Sequence, residues 1–338
     1  MESSHRPFRF GVQVGSCPNR ESWVDLAKRV EANGFDVLTM PDHFNDQFSP
    51  IPALMTVANA TTTLRIGTLV LDNDFRHPVV LAKDLSTMDV LSNGRVEIGI
   101  GAGWLVSDYA DSGITFDHSS VRVKRLEESI AVIKGAMGST SFSFTGDHYS
   151  IDDYNGFPKS IQLPHPPILI AGGGKQILAI AAREANIIGI ANTKTPNFGP
   201  EIIGQMSAAA RRAHLGSGTP MEPINSAAIA SLSAEAIDKK ISEIRIQAGD
   251  RMSQIELNIR AFMINITHDA KTAIENLARN LGVQPRAMAE NPFALIGPPS
   301  KLIEDLYSRR ERWGISYVLV GADDVDTFAP VVAELSGR

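Results

Sequence analysis

After the apolar run FDVLTM (35–40) the chain continues Pro41-Asp42-His43-Phe44. An imidazole at a strand end can donate a hydrogen bond or move a proton near neutral pH, and an adjoining carboxylate can fix backbone or ring orientation. The plainer alternative is a histidine satisfied within its own loop. A second polar stretch, Leu71-Asp72-Asn73-Asp74-Phe75-Arg76-His77-Pro78, follows another apolar run. Asn73 or Asp74 suits a turn there, and Arg76 has Asp84 and Asp89 as carboxylate partners in prospect. Two glycine runs complete the set. VEIGIGAGW (96–104) spaces its glycines G-x-G-x-G, which is not the G-x-G-x-x-G dinucleotide fingerprint, and no clear helix follows it. AGGGK (171–175) enters a helical pattern directly. Its backbone N–H groups and the helix N-terminus suit a phosphate, although a bare glycine turn reads the same way and no Walker pattern is present.

Other chemistries find little support. The eight histidines form no H-x-H or H-E-x-x-H pattern, and Cys17 is the sole cysteine, so neither a metal site nor an internal disulfide is expected. No G-x-S-x-G elbow offers a serine nucleophile. A formal net charge of −6 argues against nucleic acid as a partner. No apolar run reaches membrane-spanning length, and the N-terminus lacks a signal core, so a soluble cytoplasmic protein is expected. What remains favours a bound organic cofactor that carries the hard chemistry.

The elements that must position these residues alternate. Strand patterns at 8–15, 35–40, 64–71, 95–101, 167–171, 186–191, 255–267 and 315–320 are interleaved with helical ones, among them 22–33, 78–91, 123–137 and 299–312. Residues 142–151 read as a hairpin about Gly146-Asp147, and 197–256 as mostly helical. Eight strands with intervening helices predict one α/β domain over 1–338. Its form is a single (β/α)₈ TIM barrel with a short hairpin insertion and extra helices, and a doubly wound open sheet is the alternative.

The stretches GFDVLTMPDHF, LRIGTLVLDNDFRHPVVLAKDLSTMDVLSNGRVEIGIGAGW, RVKRLEESIAVI, PPILIAGGGK, AGDRMSQIELNIR and NPFALIGPPSKLIEDLYSRRERWGISYVLV occur in order along the chain. Together they resemble the bacterial luciferase-like superfamily, and within it the branch dependent on coenzyme F420, a deazaflavin. The resemblance implies a ring held at the C-terminal face of the barrel. Asp42 and His43 would lie beside the ring, His43 assisting hydride or proton transfer, with a non-proline cis bond at Leu69-Val70 behind it. Asp72 and Ser107 would contact the cofactor, and Gly172, Gly173, Gly174 and Lys175 its phosphate. A glutamate of the sugar-phosphate dehydrogenase relatives is replaced here by Trp104. An indole cannot exchange that proton, so an apolar or aromatic substrate lying against Trp104 and Phe44 is expected.

Three functions suit these residues. The first is F420-dependent hydride transfer to or from a small organic substrate. The second is an FMN-dependent monooxygenase of the same fold, supplied with reduced cofactor by a partner reductase. The third is a non-catalytic barrel that binds a flavin or metabolite. By resemblance a homodimer is expected, and the substrate loops are placed at 45–50, 104–118, 192–200 and 285–300.

Overall fold

A computed structural model describes residues 5–191 and 231–338. The expected helical segment before residue 231 and the loop 192–200 lie outside the described residues. The central element is a closed parallel barrel. Its strands are β1 (Arg9–Gln13), β2 (Val37–Met40), β3 (Arg65–Thr68), β4 (Leu71–Asp72), β5 (Val96–Gly101), β8 (Ile168–Gly172), β9 (Ile187–Ile190), β10 (Glu256–Arg260) and β13 (Ile315–Gly321). They run in the order β3-β2-β1-β13-β10-β9-β8-β5, and β5 closes the ring by pairing with both β3 and β4. β3 and β4 together form one staff, interrupted at Leu69-Val70, whose peptide bond is cis. The staves therefore number eight, the TIM-type barrel expected.

Alternation along each strand separates two apolar layers. Phe10, Val12, Ile66, Ile98, Ile170 and Val318 pack outward with the helices, while Val37, Leu169, Ile187, Tyr317 and Leu319 cluster within the ring. The first helix, α1 (Arg20–Ala32), shows how the outer layer forms. Asn19 caps it by accepting from Ser22 N at 2.9 Å, and Trp23, Leu26, Ala27 and Val30 make its buried stripe. Gly34, at φ +75°, supplies the left-handed turn that leads into β2. Further helices follow the same rule: α2 (Pro50–Ala60), α3 (Pro78–Leu91), α4 (Val106–Ser112), α5 (Ser119–Met137), α6 (Lys175–Glu184) and, later, Ala234–Ala248, Ala270–Leu281, Pro299–Trp313 and Val325–Leu335. β6 (Phe142–Thr145) and β7 (Ser150–Tyr154) form the antiparallel hairpin. Among the described residues no helix is long and apolar enough to cross a membrane.

Two expectations require correction. The run 255–267 is not one strand: β10 ends at Arg260, and β11 (Met263–Ile266) pairs instead with β12 (Ala294–Gly297) outside the barrel. Apolar residues are continuous across the break, so periodicity could not reveal it. The stretch after VEIGIGAGW does contain a helix, α4. Its only buried side chains are Asp108 and Tyr109, so it carries no apolar stripe to read.

Candidate active site

The C-terminal ends of β2, β4 and β5 converge on one polar cluster. The Asp42 carboxylate is buried and accepts from Arg76 through both oxygens, at 2.5 and 3.1 Å, and from the Asp72 backbone N–H at 3.2 Å. Arg76 thus pairs with Asp42 rather than with Asp84 or Asp89. It leaves the short 3₁₀ turn at Asn73–Phe75 before α3 begins, whereas Asp89 is committed to Gln162. The fork-to-fork geometry clamps the loop after β2 onto the loop after β4. Asp42 is therefore engaged by protein donors on both carboxylate oxygens.

His43 points elsewhere. Its Nδ1 lies 2.7 Å from Asp108 Oδ2, and Asp108 Oδ1 accepts from Phe44 N at 3.1 Å. Asp108 is almost wholly buried on α4. With a carboxylate as partner, Nδ1 carries the proton and donates, which leaves Nε2 as the nitrogen available for exchange. The imidazole also meets Trp104 edge-on, at 5.8 Å between ring centroids. Nothing in the sequence marks Asp108: it is one acid of SDYAD, and only the turn of α4 brings it under His43.

Beneath this dyad lies a second acidic group. Asp72 accepts from Asp74 N at 2.9 Å and from the Tyr109 hydroxyl at 3.1 Å, and that hydroxyl also lies 3.0 Å from Asp74 Oδ2. Burial, with the nearby charges of Asp74 and Asp42, pushes the Asp72 carboxyl up to about 6. Burial, with the charges of Asp72 and Asp74, pushes the Tyr109 phenol up. Arg125 neutralises Asp74 at 2.9 Å.

The glycines of GIGAGW admit close neighbours within the protein. A Cβ on Gly99 would stand 1.8 Å from the Thr68 carbonyl oxygen, and one on Gly101 2.7 Å from Val70 Cγ2. One on Gly103 would stand 2.0 Å from the Tyr109 hydroxyl. They let the bent third staff and α4 approach β5. Arg122 at the start of α5 then ties down the glycine turn by donating to the carbonyls of Ala102, at 2.7 Å, and Gly103.

Of the remaining residues singled out, Trp104 and Phe44 are about half exposed, and Phe44 packs on Phe75 at 4.8 Å. Ser107 is half-buried in the first turn of α4. Leu69 and Val70 pack against the inner apolar cluster. Gly172 ends β8, which pairs with β5, and Gly173 and Gly174 lead from it into α6, so the run sits at the neighbouring strand end. Gly174 is the N-cap of α6 and brings no side-chain cap, and a Cβ there would meet nothing within 4 Å. Lys175 is exposed and lies 3.3 Å from Glu243. The dyad, the aromatic surface and the cis-bonded ledge are thus gathered at one mouth, with the glycine run on the adjoining staff.

A parallel barrel with its polar cluster at the C-terminal mouth is the architecture of TIM-barrel enzymes. The chain belongs to the luciferase-like monooxygenase family, whose model matches residues 5–317. It is 34% identical over 168 residues to an F420-dependent glucose-6-phosphate dehydrogenase of Amycolatopsis mediterranei (strain U-32), covering 47% of this chain and 50% of that protein. It is 29% identical over 184 residues to an FMNH(2)-dependent dimethylsulfone monooxygenase of Pseudomonas putida, covering 51% and 50%. The chain thus spans about half the length of these two curated relatives. The coenzyme F420-dependent tetrahydromethanopterin reductase of Methanopyrus kandleri has the same fold, with a TM-score of 0.73 at 16% identity over 98% of each chain.

Proposed function

We propose that this chain is an F420-dependent oxidoreductase that moves a hydride between the deazaflavin and a small organic substrate with an apolar or aromatic body. The observation that carries the reading is the His43–Asp108 pair set against Trp104 at the barrel mouth. The mouth fits such a cofactor in its own terms. Leu69 and Val70 offer an apolar ledge, and the N-terminus of α6, whose N-cap Gly174 brings no side-chain cap, points a helix start at the same rim. When bound, F420 would supply the two-electron chemistry. Gly172–Gly174 would hold its phosphate, and Leu69-Val70 would back its ring. Asp108 holds the His43 ring so that Nε2 gives or takes the proton that balances hydride transfer. Asp42, locked by Arg76, keeps the loops after β2 and β4 in register. Trp104 and Phe44 exclude water and present flat apolar surface to the substrate.

Parallel fluorescence titration of the protein with F420 and with FMN tests this, followed by hydride-transfer assays. His43→Ala is expected to bind F420 normally and lose turnover by about 10²-fold or more; unchanged turnover would remove His43 from the mechanism. The Pseudomonas relative supports a second reading, monooxygenation dependent on reduced FMN. Preferential FMN binding with oxygen consumption would select it.

A further inference from the structure

The inward side chains of the barrel form charged layers at both ends, and the two differ. At the N-terminal end Arg9, Arg65, Glu97 and Glu256 balance one another. Arg9 donates to Glu97 and, at 2.7 Å, to Glu256, while Arg65 lies 2.7 Å from Glu97. Following the same inward parity, β1 reads Arg9, Gly11, Gln13 and β10 reads Glu256, Asn258, Arg260. Gln13 and Arg260 are therefore the last inward residues before the mouth. Arg260 Nε donates to Gln13 Oε1 at 3.0 Å, and Gln13 Nε2 donates to the Leu69 carbonyl at 2.8 Å. A polar chain thus crosses the barrel top from β10 to the cis-bonded ledge.

Arg260 differs from the other half-buried and buried arginines. Arg9, Arg65, Arg76 and Arg125 each pair with a carboxylate. Arg95, Arg122, Arg251, Arg309 and Arg310 each spend their donors on two or more backbone carbonyls. Arg260 is held only by Gln13 and the adjoining Ala261 carbonyl, with no carboxylate within ion-pair distance among the described residues. Burial lowers its pKa to about 10, which Asp324 only partly opposes. A half-buried guanidinium without a counter-anion is costly, and a ligand carboxylate would offset that cost with charge-assisted hydrogen bonds.

We propose that Arg260 is a specificity-determining residue that receives a carboxylate of the organic substrate, so that the substrate class is aromatic or apolar carboxylic acids. This rests on the reading of the mouth as a substrate site and deepens it. Gln13 acts as a positioning residue that fixes the guanidinium.

The test measures binding of benzoate and of its uncharged counterpart benzamide by calorimetry, first to the protein without added cofactor and then with F420 present. Wild type is expected to prefer benzoate by about tenfold or more. Arg260→Met is expected to abolish that preference while F420 affinity, read by fluorescence, stays within about twofold. Should Arg260→Met fail to fold, Arg260→Gln retains a neutral donor toward Gln13 and is expected to lose the preference likewise. Equal affinity of wild type for the two ligands would overturn the proposal. So would a preference that survives in the folded variant, or a fall in F420 affinity that assigns the guanidinium to the cofactor. Because the first arm contains no cofactor, refusal of F420 alongside a benzoate preference counts against hydride transfer alone. F420 binding without any benzoate preference counts against the Arg260 assignment alone.

Discussion

Asp108 on α4 and Asp72 at the end of β4 show how two carboxylates of one cluster acquire different work. Asp108 receives the His43 Nδ1 proton and the Phe44 N–H, so Asp108→Asn keeps one acceptor but can no longer favour the same imidazole form. Turnover is expected to fall about 10²-fold with little change in melting temperature, and steady-state pH profiles of the two proteins would show it. Asp72 is crowded by acids and buried, which raises its pKa in the folded state from 3.8 to about 6. The folded protein then binds the proton more tightly than the unfolded chain. The stability from this group is complete below about 4 and is lost as pH rises through about 6, by about 3 kcal/mol at most. Denaturant midpoints for wild type and Asp72→Asn between those pH values should diverge as pH rises, with the variant the more stable near neutrality. Parallel curves would place the raised carboxyl elsewhere.

At the scale of the element, the glycine strand β5 is read differently once its neighbours are known. Gly99→Ala drives a methyl into a backbone carbonyl, which side-chain rotation cannot relieve. Gly101→Ala meets only the end of Val70, a side chain that can turn. The first change should cost more than about 3 kcal/mol and the second about 1–3. Urea denaturation of both variants measures the difference, and equal losses would contradict the close approach of Thr68. Strand patterns, α3, α5 and the hairpin were legible because burial imposes a period on their residues. The short helix α4 was not, since a buried aspartate and tyrosine leave no apolar stripe, and neither was the end of β10 within an unbroken apolar run.

Across the whole molecule the two ends of the barrel divide stability from chemistry. Glu97 joins Arg9, Arg65 and the Tyr317 hydroxyl at the N-terminal end. Glu97→Gln leaves Arg65 without its carboxylate and Arg9 with Glu256 alone, and a loss of about 3 kcal/mol is expected. Cofactor affinity of the folded fraction should not change, and thermal melts with and without F420 would separate the two effects. Local order in the chain was enough to determine alternating strands and helices, hence a parallel sheet covered by helices, and only the pairing of β3 and β4 with β5 decided a closed barrel over an open sheet. It also determined that Asp42, His43, Trp104 and the AGGGK run stand at strand ends, because periodicity and glycine placement are written residue by residue. Partnership was decided only by the tertiary structure. Arg76 meets Asp42 across 34 residues, His43 meets Asp108 across 65, and Arg260 reaches Gln13 across 247. Closing the barrel sets these separations, and a hydrogen bond of about 3 Å depends on that closure rather than on spacing along the chain.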